Sequence, residues 1–99
     1  MKIELLYFAG CPNHGPAREL IDAAVSELGI EPEIEEIDVQ DEGHAERLRF
    51  LGSPSIRVNG RDVEPGAESR TDYAICCRMY RASGLPAREL LLAALSGKD

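Results

Sequence analysis

The sequence predicts a single α/β domain over residues 1–99, with the element order β-α-β-α-β-β-α and an extra short helix before the last one. Three observations predict this class. Short apolar runs that end at turn residues predict strands, and longer segments with apolar residues at helical spacing predict amphipathic helices. One Asn-Gly pair between two short strand-like runs predicts a β-hairpin.

The first part of the chain predicts a β-α-β unit. Residues 2–9 are a short apolar run with aromatic residues near its end, stopped by Gly10, and predict a buried strand. Residues 16–28 carry apolar side chains at helical spacing and are followed by Gly29, so they predict an amphipathic helix. The alternation of apolar and acidic residues over 33–39 predicts the second strand.

The middle of the chain predicts a short second helix and an antiparallel hairpin. The helix extends to about residue 51, with Asp41 as its N-cap and Gly52 as its end. The hairpin turns at residues 59–60, because Asn-Gly suits the left-handed conformations of a two-residue turn. Its strands are residues 53–58 and 61–64.

The last part of the chain predicts two helices. Residues 71–80 place aromatic and sulfur-bearing side chains on one helical face. These side chains are Tyr73, Cys76, Cys77 and Tyr80. Residues 86–95 form a stripe of Leu and Ala at helical spacing, and Pro86 suits the first turn of a helix. We expect this final helix to cover the core.

Composition and charge exclude several classes of protein. The hydrophobic fraction of 43% argues against disorder, and no apolar run reaches the roughly 20 residues that a membrane helix needs. The net charge of −7 argues against a nucleic-acid partner. Glu4 interrupts what would be the apolar core of a signal peptide, so we expect a cytoplasmic protein with no membrane partner. In a reducing cytoplasm its three cysteines stay thiols.

The motif Cys11-Pro12-Asn13-His14 follows the first strand and opens a helix, and Ser53-Pro54 precedes the third strand. This arrangement resembles the thioredoxin superfamily across nearly the whole chain. Residues 50–60, with Asp72-Tyr73 and residues 77–80, are similar to the small bacterial thioredoxin-family proteins called DF-family (seleno)proteins. Some members of that group carry the label alkylmercury lyase. The chain differs from the superfamily's Cys-x-x-Cys motif because His14 replaces the second cysteine, so a dithiol within this loop is impossible.

Cys11 is the candidate catalytic nucleophile. At a strand-to-helix turn, the unpaired N–H groups and the positive end of the helix dipole favour a thiolate. The alternative role is that of a small buried apolar residue. His14 lies three residues further on and is a second candidate catalytic residue, able to favour the thiolate, move a proton or bind a metal. It is equally compatible with an exposed side chain that has no task.

The resemblance also implies a substrate-binding surface. It implies a cis peptide bond before Pro54, opposite Cys11, with the main chain of Ser53 exposed to pair with an extended substrate. An ordinary trans proline at the start of a strand is the alternative. Pro12 belongs to the same expected surface. Asp72 lies in a charged stretch that could hold a small acidic thiol such as glutathione, although a solvated loop explains that stretch equally well.

Cys77, and less favourably Cys76, is the candidate resolving cysteine in place of the missing thiol at position 14. Adjacent side chains on a helix point about 100° apart, so at most one of the two faces Cys11. The alternative is that both fill the core beside Tyr73 and Tyr80.

Three functions follow from these residues. The first is a thiol-dependent oxidoreductase that exchanges disulfides or glutathionylated thiols through Cys11, with no bound cofactor. Its partners are protein or small-molecule thiols and disulfides, glutathione included. The second is a protein that handles soft metals or organomercury with Cys11, His14 and Cys77, and with Asp72 as proton carrier. The third is a binding module that has the thioredoxin-like fold without the chemistry.

Overall fold

The computed structural model describes residues 1–80 and 83–97, which contain one four-stranded sheet and three α-helices. The strands are β1 (Lys2–Tyr7), β2 (Glu33–Asp38), β3 (Ser55–Val58) and β4 (Arg61–Asp62). The helices are α1 (His14–Leu28), α2 (Glu42–Leu48) and α3 (Arg88–Leu95), with a short 3₁₀ helix at Ala67–Ser69. The predicted α/β class is confirmed at this level.

The sheet is mixed and has the strand order β2-β1-β3-β4. β1 pairs in parallel with β2, and antiparallel with β3 in a register that sets Leu6 opposite Ser55. β3 and β4 form the predicted hairpin, whose turn residues Asn59 and Gly60 have φ angles of 52° and 84°. Because β1 and β3 are antiparallel, the end of β1 and the beginning of β3 lie at the same end of the sheet.

Apolar side chains cover both faces of the sheet. Ile3, Leu5 and Ile56 are fully buried on the face covered by α1 and α3, together with residues such as Ile21 and Leu91 of those helices. Leu6 points to the opposite face, where it packs with Val39, Ala45 and Phe50 on and around α2. Successive strand residues point to opposite faces, which explains why Leu5 and Leu6 belong to different clusters.

The observed helix ends differ from the predicted ones. Helix α1 begins at His14, two residues earlier than expected, and ends as predicted at Gly29, which adopts the left-handed conformation. The side chain of Asp41 caps α2 by accepting a hydrogen bond from the His44 amide, as predicted. However, α2 ends at Leu48 with Arg49 in the left-handed conformation, so Gly52 does not close it.

The prediction of a helix over residues 71–80 is wrong. The only helical turn between β4 and α3 in the described residues is the 3₁₀ helix at Ala67–Ser69. Residues 74–78 instead run alongside residues 50–53, and Ala74 donates its amide to the Phe50 carbonyl at 3.1 Å. Further along, Arg78 and Tyr80 are buried while Met79 is exposed, the two-residue alternation of an extended chain.

In the described residues, no helix combines the length and the apolar character that crossing a bilayer requires.

Candidate functional site

Cys11 occupies the connection between β1 and α1. Its amide donates to the Phe8 carbonyl and its own carbonyl accepts from the His14 amide, both at 3.2 Å, so the connection is a pair of tight turns. The residue is 7% exposed, which leaves it buried just below the surface. Helix α1 has no side-chain hydrogen bond at its N-cap, Asn13, and no acidic residue in its first turn. The positive end of the helix is therefore not neutralised by the helix's own side chains.

His14 is held by residues of the sheet. Its ring stacks on the ring of Tyr7, with centroids 3.6 Å apart and an angle of 11° between the planes. Its Nε2 atom is hydrogen-bonded to Oε1 of Glu36 on β2, and Arg18 donates to the other oxygen at 2.7 Å. The hydrogen bond from His14, and then that from Arg18, lower the pKa of Glu36. Within residues 1–80 and 83–97, no hydrogen bond joins the His14 ring to the Cys11 sulfur.

The peptide bond between Ser53 and Pro54 is cis, as the resemblance implies. Both residues are fully buried. The Ser53 amide donates to the Cys76 carbonyl at 2.8 Å, and the Ser53 carbonyl accepts from the Arg78 amide at 2.9 Å. The expected open main chain at Ser53 is therefore wrong: the segment that carries Cys77 already occupies both of its hydrogen-bonding groups.

Cys77 lies directly beside Ser53, with which it forms a parallel β-bridge. The side chains of both Cys76 and Cys77 are exposed, so the interpretation of the pair as core filler is wrong. Partial burial and the neighbouring Cys77 raise the pKa of the Cys76 thiol. The register of β1 and β3 places Cys11, Ser53 and Cys77 at one end of the sheet.

A buried cluster of polar side chains fixes the segment that carries Cys77. The guanidinium of Arg78 is 1% exposed and donates to both carboxylate oxygens of Asp62, at 2.8 and 3.0 Å. It also donates to Glu64 at 2.8 Å and to the hydroxyl of Ser55 at 3.0 Å. These charge-assisted contacts join the segment to β3, β4 and the residues that follow them. Sequence reasoning missed this cluster, because the helix expected over residues 71–80 hid the alternation of buried and exposed residues.

Tyr80 connects the same cluster to the cis peptide. Its hydroxyl donates to the Pro54 carbonyl at 2.5 Å, and its ring lies 4.5 Å from the guanidinium carbon of Arg78. Burial raises the pKa of the Tyr80 phenol, so the hydroxyl stays protonated and remains a donor at neutral pH.

The remaining predicted binding residues do not converge. Pro12 is exposed beside Cys11. Asp72 is exposed and paired with Arg70 at 2.7 Å, a contact that lowers the pKa of Asp72. Arg78, which belongs to the same charged stretch as Asp72, is buried against carboxylates, so its guanidinium is not available to a glutathione carboxylate. Among the residues that the structure describes, no three His, Cys, Asp or Glu side chains are arranged to hold a metal ion, so Cys11, His14 and Cys77 do not form the expected soft-metal site.

No family model, no curated protein and no solved structure matches this chain. The chemistry open to the site therefore rests on its own residues. They offer one thiol buried at the start of α1 and two exposed thiols on the segment beside Ser53.

Proposed function

We propose that this chain is a thioredoxin-like thiol–disulfide exchange enzyme whose nucleophile is Cys11 and whose resolving thiol is Cys77. The observation that carries the proposal is the β-bridge between Ser53 and Cys77, because it holds Cys77 at the end of the sheet where Cys11 follows β1. The parallel pairing of β1 and β2, the antiparallel β3–β4 hairpin and the cis peptide before Pro54 support the thioredoxin-like part of the proposal.

The first step is attack by the Cys11 thiolate on one sulfur of a substrate disulfide. A bond forms between the Cys11 sulfur and that sulfur, and the substrate's S–S bond breaks. The second substrate sulfur leaves as a thiolate and takes a proton from solvent. The start of α1 carries no side-chain cap and no acidic side chain in its first turn, so no carboxylate of that turn repels an anion formed at the Cys11 sulfur.

The second step releases the rest of the substrate. The Cys77 thiolate attacks the Cys11 sulfur of the mixed disulfide, an intramolecular disulfide forms between Cys11 and Cys77, and the substrate leaves as a thiol. An external thiol of the glutathione class then reduces the enzyme disulfide and is itself oxidised. The same external thiol resolves the mixed disulfide directly when Cys77 is absent.

A coupled assay tests the proposal. The probe is a small aromatic disulfide with glutathione as reductant, and the release of the coloured thiol is followed with time. We expect Cys11→Ser to abolish turnover, Cys77→Ser to slow it and Cys76→Ser to leave it nearly unchanged. Turnover that persists in Cys11→Ser at the wild-type rate would remove Cys11 from the chemistry and overturn the proposal.

A further inference from the structure

We propose that a cleft lined by four arginines binds a small molecule that carries a phosphate or carboxylate group. The cleft lies beside the β3–β4 hairpin and the end of α2, and has a volume of about 210 Å³. Its guanidinium side chains belong to Arg49, Arg57, Arg61 and Arg70. The chain has only 11 Lys and Arg residues and a net charge of −7. Four arginines around one cavity are therefore a local concentration of positive charge on a negatively charged chain.

Arg57 is fixed at the cleft without being neutralised. Its Nη2 atom donates to the Leu48 carbonyl at 2.6 Å and to the Arg49 carbonyl at 3.0 Å. These carbonyls belong to the end of α2, where the last helical carbonyls lack partners within the helix. A carbonyl orients the guanidinium but carries no net charge. Arg57 therefore keeps its positive charge at the wall of the cleft.

Arg49 adds a second charge without a carboxylate partner. In the ranges 1–80 and 83–97, its guanidinium takes part in no hydrogen bond and no ion pair. Its main chain ends α2 in the left-handed conformation, with a φ of 56°. The residue is exposed, so an approaching anion can reach it.

The acidic residues of the cleft do not cancel these charges. Two carboxylates line it, Asp62 and Glu68. Both oxygens of Asp62 accept from the buried Arg78, so that carboxylate is engaged by a cation outside the lining of the cleft. Arg70 lines the cleft, but its charge is already paired with the carboxylate of Asp72. Among the lining carboxylates Glu68 alone then opposes Arg49 and Arg57, so the cleft is positive.

The ligand class follows from size and charge. A guanidinium binds a phosphate or carboxylate through paired N–H donors, and several guanidinium groups together favour a ligand with more than one negative charge. The volume suits a small molecule, and the ring of Tyr73 gives the cavity one aromatic wall for an uncharged part of that molecule.

Isothermal titration calorimetry at low salt tests the proposal with two probes, pyrophosphate for the phosphate class and citrate for the carboxylate class. We expect one or both to bind one site per chain, and binding to weaken as salt is added. Arg49→Gln should weaken binding at least about tenfold, because a charge-assisted contact is lost. Arg47→Gln, which removes the same charge two residues earlier and outside the cleft, should change it less than about twofold.

Binding of pyrophosphate alone or of citrate alone identifies the class of ligand, and either result supports the cleft. No binding of either probe would overturn the proposal, as would equal losses in Arg49→Gln and Arg47→Gln. The proposal is independent of the thiol chemistry. Cys11→Ser should therefore bind the probe as the unmodified chain does.

Discussion

Ser53 and Cys77 are joined by a parallel β-bridge, and the flanking residues of Cys77 use both main-chain groups of Ser53. The chain thus pairs with its own buried cis peptide and presents two exposed thiols there. Arg78, the residue after Cys77, is held beneath the segment by Asp62 and Glu64. The position of Cys77 consequently depends on a buried ion cluster.

Removing the charge of Arg78 should destabilise the protein strongly. Arg78→Met leaves the partly buried carboxylate of Asp62 without its cation and Glu64 with Arg70 alone, at 3.6 Å; breaking such a buried pair typically costs about 3–5 kcal/mol. Urea unfolding measures the loss. Arg88→Met is the matched control, because it breaks an exposed pair with Glu27 and should cost about 1 kcal/mol or less. Similar losses in the two variants would show that the buried cluster contributes little.

Gly52 should not tolerate a side chain. It has a φ of 118°, and a Cβ atom there would lie 3.0 Å from the Arg78 Cβ and 3.1 Å from the Cys76 carbonyl oxygen. Gly52→Ala should therefore displace the segment that carries Cys77. Gly60→Ala is the control, because Gly60 also has a positive φ, 84°, but an added Cβ meets nothing within 4 Å. The control should lose only the conformational cost of about 1–2 kcal/mol. In urea unfolding, Gly52→Ala should lose more, and equal losses would contradict the packing described.

The hydrogen bond from the Tyr80 hydroxyl to the Pro54 carbonyl should contribute to the free energy of unfolding. Tyr80→Phe leaves the buried Pro54 carbonyl without its donor, which costs about 1–3 kcal/mol. Tyr73→Phe removes a hydroxyl that has no hydrogen bond within the described residues, and should change the free energy of unfolding by less than about 0.5 kcal/mol. Thermal and urea unfolding of the two variants measure the difference. If both lose the same stability, the hydrogen bond to Pro54 has no special role.

The contact of Glu36 with His14 and Arg18 should make stability depend on acid pH. Because folding lowers the pKa of Glu36 below its ordinary value of 4.5, the ionised carboxylate stabilises the folded state above that value. This stabilisation is lost as the pH falls through the lowered folded pKa. The difference in unfolding free energy between the wild type and Glu36→Gln should therefore be fully present just above pH 4.5 and shrink as the pH falls below that value. A difference that stays constant from neutral to acid pH would contradict the assignment.

Local patterns predict much of this fold. The spacing of apolar residues gives α1, and the Asn59-Gly60 pair gives the hairpin, because both depend on neighbours in sequence. For residues 71–80 the local pattern predicts the wrong structure, a helix, because Tyr73, Cys76 and Tyr80 fit a helical period. Their conformation is decided by pairing with residues 50–53 and by the burial of Arg78 against Asp62. Residues 50–53 and Asp62 are both distant from this segment in sequence, so a local pattern does not reveal these contacts.

The candidate site also combines features that local sequence predicts with features that depend on residues distant in sequence. The position of Cys11 between β1 and α1 follows from sequence, because a strand and a helix meet there. The engagement of His14 by Glu36 does not, because those residues are 22 positions apart and meet only when β2 pairs with β1. The β-bridge of Cys77 is likewise a tertiary feature.

Mapping the disulfide of the mildly oxidised protein tests the central claim most directly. The protein is oxidised at low concentration with a small disulfide, its remaining thiols are blocked, and its peptides are identified by mass spectrometry. We expect an intramolecular link between Cys11 and Cys77 that persists in Cys76→Ser and disappears in Cys77→Ser. Only intermolecular or scrambled disulfides, or a link to Cys76 in preference to Cys77, would contradict the assignment of Cys77 as the resolving thiol.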